Sequence, residues 1–146
     1  MKLKEVNGFN HSIIIDMYSF ICCYEKLKGY RRNSNLKNDY PQIYSEVSDL
    51  LKDICCKNTK QKNWDKKYLL ENITVDDTFY FKKESTIIFS ILYHIRNSIA
   101  HGNITYNKGK VRIYDYNKKN NRTANALIKI EKFNKILNII NNNALL

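Results

Sequence analysis

The sequence predicts a mainly α protein, a bundle of four to five helices with a short β-hairpin inserted before the last helix. Two patterns carry this expectation. Apolar residues return at intervals of three and four along most of the chain, the spacing of an amphipathic helix. A single pair of β-forming runs flanks Gly109 and reads as a hairpin. With 43% apolar residues, one proline and four glycines, the 146-residue chain can bury a core and is poor in linker-like composition, so one domain, 1–146, is expected.

The first helix is expected from Asn10 to about Arg31, where Ile13, Ile14, Met17, Phe20, Ile21, Tyr24 and Leu27 form the apolar stripe and Gly29 with Arg31 and Arg32 ends it. Pro41 suits a first helical turn, and Ile43, Val47, Leu50, Leu51 and Ile54 continue a second helix. The two are expected to form an antiparallel pair. Residues 57–83 read ambiguously: Trp64, Tyr68, Leu69 and Leu70 favour a short helix, while Thr74 to Phe81 mixes β-formers with Asp76 and Asp77. A third strong helix runs from about Lys83 to His101 on Ile88, Ile91, Leu92, Ile95 and Ile99, with Gly102 as its C-terminal cap. The hairpin pairs Ile104–Tyr106 with Val111–Tyr116 around Asn107-Lys108-Gly109-Lys110. After the polar loop 117–122, a last helix is expected from about Ala124 to Ile140 on Leu127, Ile130, Phe133, Ile136, Leu137 and Ile140.

The formal charge of +11, from 25 basic and 14 acidic side chains, points to an anionic partner such as RNA, DNA or a membrane surface. Only five of the basic residues are Arg, and the Lys excess accompanies many Asn and Ile, so part of the charge reflects codon bias. No apolar stretch approaches the roughly 18 to 20 residues of a membrane span, which predicts a soluble, cytoplasmic protein without membrane association. The cysteines form two adjacent pairs, Cys22-Cys23 and Cys55-Cys56, without the spacing of a zinc or redox motif. They are expected as small, reduced core residues.

On a helical wheel the third helix puts Ile88, Leu92, Ile95 and Ile99 on its core side and Ser90, His94, Asn97 and His101 on the opposite side. Arg96 lies off that polar stripe, roughly 140° from His101, so one helix does not easily aim both groups at one atom. A second copy of the helix would. His101 falls in the last turn, where the carbonyls and the macrodipole receive a cation, and histidine suits general acid or base work near neutrality. Asn97 can orient that ring, and the planar fork of Arg96 matches a phosphate. These are the parts for phosphodiester transesterification by a ribose 2′-hydroxyl, without metal or other cofactor.

Arg96-Asn97-Ser98-Ile99-Ala100-His101, followed by Gly102-Asn103, resembles the R-x4-6-H motif of the HEPN superfamily, small helical bundles that carry the motif at the end of a late helix. The resemblance implies a homodimer in which two motifs form one composite ribonuclease site that leaves 2′,3′-cyclic phosphate ends. It implies His101 as acid/base, Arg96 as phosphate and transition-state stabiliser, and Asn97 as the orienting group. The chain departs from the toxin branch paired with nucleotidyltransferase antitoxins, which usually carries Tyr two residues after the His, because Asn103 stands there. Control by modification of a tyrosine is therefore not implied, and the hairpin is extra to a plain bundle.

Around this centre, His94, Ser90, Tyr106, Lys108 and Lys110 are candidate substrate-binding residues. Arg112, Lys118, Lys119 and Arg122 can track an RNA backbone, and Tyr114 and Tyr116 can stack on unpaired bases. Packing roles compete for each of them. The reading that follows is a metal-independent endoribonuclease of a toxin or phage-defence type, acting on RNA as a homodimer, with an antitoxin or regulatory protein as a further partner. A non-catalytic HEPN module binding RNA, a nucleotide or a protein is the alternative. A DNA-binding adaptor is disfavoured because no helix-turn-helix signature stands out.

Overall fold

The computed structural model describes residues 8–28, 36–59 and 67–143. The helices are α1 (His11–Lys28), the short α2 (Leu36–Asp39), α3 (Pro41–Leu51), α4 (Ile87–Ala100) and α5 (Ile130–Asn143), and residues 67–70 add one helical turn. The strands are β1 (Cys55–Thr59), β2 (Thr78–Lys82), β3 (Ile104–Asn107), β4 (Lys110–Tyr116) and β5 (Arg122–Lys129). They form a five-stranded sheet in the order β1-β2-β5-β4-β3, parallel between β1 and β2 and antiparallel elsewhere.

This sheet corrects the expected mainly α bundle with an inserted hairpin. The hairpin exists, and its turn is type I′, with Lys108 at φ 53° and Gly109 at φ 81°. It is, however, one edge of a larger sheet whose centre is β5, in the segment 122–129 that was expected to open the last helix. Ala and Leu favour helix, and a strand covered on both faces shows no polar alternation to betray it. Ala124, Ala126 and Ile128 face the helices, while Thr123, Asn125 and Leu127 face the segment around residues 67–73, so all six are buried. Asn125 Nδ2 donates to the carbonyls of Tyr68 (3.1 Å) and Glu71 (2.6 Å), which ties that segment onto the sheet.

Asn10 caps α1 by accepting the Ile13 N–H at 3.0 Å. Pro41 opens α3 as expected. That helix stops at Leu51, because Ile54 already leads into β1. In place of an antiparallel α1–α3 pair, both helices lean on α5, and α1 also packs on α4. The layers are therefore the sheet, then α4 and α5, then α1 and α3, around one apolar core that includes Phe20, Phe79, Ile95, Ile113 and Phe133. Of the cysteines only Cys23 is buried, while Cys22 and Cys55 are exposed. Adjacent residues point to different sides of a helix or strand, so neither pair can enter the core together.

The approach to β2 is held by Asp77, a buried residue at φ 59°. Its carbonyl accepts the Cys55 N–H at 2.8 Å, Oδ1 accepts the Lys129 N–H at 3.0 Å, and Oδ2 pairs with the Lys132 ammonium. Burial alone would raise this carboxyl. The hydrogen bonds from Lys132 and Lys129 together with their charges outweigh it and hold Asp77 below the ordinary aspartate range. Among the described residues no helix is long and apolar enough to cross a membrane.

Candidate active site

The site is built on α4. Thr86 caps its start, accepting the Phe89 N–H at 3.3 Å, and the other end closes in a Schellman turn. There the Asn103 N–H reaches the Ser98 carbonyl at 2.8 Å and the Gly102 N–H reaches the Ile99 carbonyl at 3.2 Å. Gly102 sits at φ 71°, a conformation a side chain resists. This turn presents His101, the C-cap of the helix, to solvent. Its ring makes no hydrogen bond within the described residues.

Of the polar stripe expected opposite the apolar face, the first half is covered by the sheet, while His101 at its end is exposed. Ser90 and His94 are both fully buried. Ser90 Oγ accepts the N–H groups of Glu84 (2.9 Å) and Ser85 (3.1 Å), fixing the entry to α4. His94 Nδ1 lies 2.8 Å from Asp115 Oδ2 and Nε2 lies 2.7 Å from the Lys82 carbonyl. The Lys82 carbonyl can only accept, so Nε2 donates to it, while Nδ1 is held against the Asp115 carboxyl. His94 thereby spans from the end of β2 to the end of β4 across Ala124, which pairs with Phe81 and Asp115 on its two sides. A small residue there leaves room for the imidazole. Neither Ser90 nor His94 offers a surface to substrate.

Asp115 is the hub of this network. Its Oδ2 also accepts Asn97 Nδ2 at 3.3 Å and its Oδ1 accepts the Tyr116 N–H at 2.9 Å, beside the register shift between Asp115 and Tyr116. Asn97 Oδ1 in turn accepts Arg96 Nη1 at 3.0 Å. On its other side Arg96 Nε stands 2.9 Å from Glu25 Oε1 on α1, close enough for an ion pair though the N–H is not aimed along a hydrogen bond. Asn97 therefore orients Arg96 and not the ring of His101. Nearby, burial first, then the charges of Glu25 and Tyr93, push the Tyr24 phenol up to about 12 despite Arg96, so it stays protonated.

Arg96 and His101 consequently face different parts of the protomer. The Arg96 side chain, 30% exposed, leans toward α1. His101 opens on a recess of about 600 Å³ shared with Asn103, Tyr116 and the β4–β5 turn residues Asn117, Lys118 and Asn120. Tyr106, Lys108 and Lys110 lie elsewhere. Tyr106 packs on Phe9 at 5.8 Å between ring centroids. Lys108 stands at the hairpin tip, and Lys110 pairs with Asp76 at 2.8 Å. β3 leads away from His101, so the tip lies at the far end of the hairpin, whereas the β4–β5 turn comes back to the motif.

Of the other sequence candidates, Arg112 donates to the Ile73 carbonyl at 3.2 Å and Arg122 lies over the Tyr114 ring at 4.2 Å, both on the outer face of the sheet. Glu25, Asp115 and Asn103 escaped the sequence reading as site residues: Glu25 and Asp115 reach the motif only through tertiary contact, and Asn103, next to it in sequence, is placed beside His101 by the closing turn. Among the described residues no three of His, Cys, Asp and Glu gather as a metal-holding group would require.

Comparison with known proteins agrees with the motif. The family HEPN pEK499 p136 matches residues 4–145. No curated protein and no solved structure matches the chain. HEPN domains commonly bind RNA and pair with one another. With the match spanning nearly its whole length, the chain belongs to the HEPN pEK499 p136 family of the HEPN superfamily.

Proposed function

We propose that this HEPN domain is a metal-independent endoribonuclease whose working form is a homodimer. The observation that carries the reading is the pair of settings on α4: His101 is exposed on a hydrogen-bonded turn with its ring unengaged among the described residues, while Arg96, five positions earlier, is oriented by Asn97 and keeps part of its side chain exposed. In the reaction, an imidazole takes the proton of a ribose 2′-hydroxyl as that oxygen attacks the adjacent phosphorus. The bond to the 5′-oxygen breaks, that oxygen takes up a proton, and a 2′,3′-cyclic phosphate remains. Arg96 steadies the charge gathering on the phosphoryl oxygens. Since one protomer directs Arg96 and His101 to different elements, two motifs facing each other supply a base, an acid and two guanidinium groups to one linkage.

The net charge of +11 favours the approach of RNA. Under this reading the protein acts in the cytoplasm as a toxin or phage-defence effector, held in check by an antitoxin or regulatory protein. The decisive experiment incubates purified protein with total RNA in EDTA beside Arg96→Ala and His101→Ala. Cyclic-phosphate ends made by the parent and lost in both variants, with dimer mass retained in light scattering, support the enzyme. Activity that needs Mg²⁺ overturns it.

A second reading, a non-catalytic HEPN module that binds RNA, a nucleotide or a protein partner, is favoured by one observation. Glu25 already engages Arg96, as a structural ion pair would. RNA retained but never cut by the parent protein would select that reading.

A further inference from the structure

The recess beside His101 is lined by side chains whose hydrogen-bonding groups are unspent while their backbones are locked. Asn103 is held at both ends of its peptide: its N–H goes to the Ser98 carbonyl at 2.8 Å and its carbonyl accepts the Tyr114 N–H at 3.0 Å. Across the recess, Asn117 organises the β4–β5 turn from within. Its Oδ1 accepts the N–H groups of Lys119 (3.0 Å) and Asn121 (2.9 Å), its own N–H reaches the Asn121 carbonyl at 2.9 Å, and its carbonyl accepts the Asn120 N–H at 2.9 Å. Asn120 completes the turn at φ 63°. With the turn so braced, the side chains of Lys118 and Asn120, like those of Asn103 and His101, form no hydrogen bond or ion pair within the described residues.

A braced recess of about 600 Å³ falls in the size range of small-ligand sites. It combines one cation with two free amides, each carrying a donor and an acceptor side by side. That is the complement of a nucleotide: the ammonium meets a phosphate, and amides pair with the donor and acceptor groups on a base edge. Bases are open to such reading in single-stranded RNA, where they are splayed from the stack. Tyr116 contributes to the wall, but its hydroxyl is drawn to Arg122 Nη2 at 3.5 Å and its ring to the same guanidinium.

We propose that this recess is the base-reading subsite of the nuclease, holding a nucleotide of single-stranded RNA that flanks the scissile phosphate, with Asn103 and Asn120 reading the base and Lys118 meeting its phosphate. The assignment rests on the nuclease reading for the word "scissile" only, since the binding chemistry belongs to the recess itself. Asn117 is a positioning residue that sets the turn.

The test measures binding of fluorescein-labelled oligo(A), oligo(C) and oligo(U) to dimeric His101→Ala protein, and cut positions in total RNA with the otherwise unaltered protein. Asn103→Ala and Asn120→Gly are the probes, Gly being chosen because Ala would be strained at a positive φ. One homopolymer is expected to bind roughly tenfold tighter than the others, and this preference should collapse in the double variant, whose circular dichroism stays that of the parent. Lys118→Ala should weaken all three homopolymers alike. If the parent cuts RNA and the double variant cuts at the same positions, the subsite is overturned while the nuclease stands. If the parent never cuts, the nuclease fails and the subsite stands only on a binding preference that the double variant loses. Equal binding of all homopolymers overturns it outright.

Discussion

Glu25 on α1 holds its carboxylate 2.9 Å from the Nε of Arg96 on α4, and thereby sets an acidic group against the one arginine of the motif. With Glu25 half-exposed, at 51%, the pair is worth only about 0.2 to 1 kcal/mol. Its larger effect is on the local potential that an incoming phosphate meets. Glu25→Gln is expected to leave thermal stability nearly unchanged and to tighten RNA binding about two- to fivefold at low salt. Titrations at two ionic strengths check this, since the gain should shrink at high salt. Weaker binding would show that the carboxylate is needed to aim the guanidinium.

Asp115 carries the buried end of the same network. Asp115→Ala removes the carboxyl that both His94 Nδ1 and Asn97 Nδ2 meet. A loss of roughly 3 to 5 kcal/mol is expected in urea denaturation. His94→Ala should cost a comparable amount, and the double variant should cost clearly less than the two losses added together, because each removes the other's partner.

Ala124 lies beneath His94, between Phe81 and Asp115 in register. Ala124→Leu is expected to lower stability by about 1 to 3 kcal/mol, the added side chain forcing the imidazole away from either Lys82 or Asp115. Ala126→Gly, which adds no volume, should not disturb His94. Proton spectra of the two variants distinguish displacement of the ring from a general loss of packing.

Among the described residues nothing lies where a Cβ on Gly102, at φ 71°, would touch it, so a conformational cost of about 1 to 2 kcal/mol is expected for Gly102→Ala. A thermal melt should show that loss. RNA cleavage should fall further than the stability change accounts for, because the turn aims His101, whereas Gly109→Ala at the distant hairpin tip should lower stability and leave cleavage per folded molecule unchanged.

Asp77 makes stability depend on acidity. Its folded-state carboxyl titrates below the unfolded one, so its contribution is fully present above the ordinary aspartate range, near about pH 4. It fades as the pH falls through the lower folded value. The stability difference between the parent and Asp77→Asn should therefore be constant from neutrality down to about pH 5 and shrink below about pH 4. A difference that instead grows on acidification would reverse the sign of the argument.

Local chemistry alone determined much of this protein. Apolar spacing marked α1, α3 and α4, Gly109 marked the hairpin turn, and Arg96 with His101 marked the superfamily, because caps, turns and motifs are written in neighbouring residues. Only the tertiary structure decided that residues 122–129 form the central strand and that Ser90 and His94 lie inside. A strand sealed on both faces carries no alternation, and a polar stripe looks alike whether water or a carboxylate faces it. Glu25, Asp115 and Asn103 reach the motif from other elements or around its closing turn. Which groups meet there depends on how sheet and helices stack, a relation that no local spacing encodes.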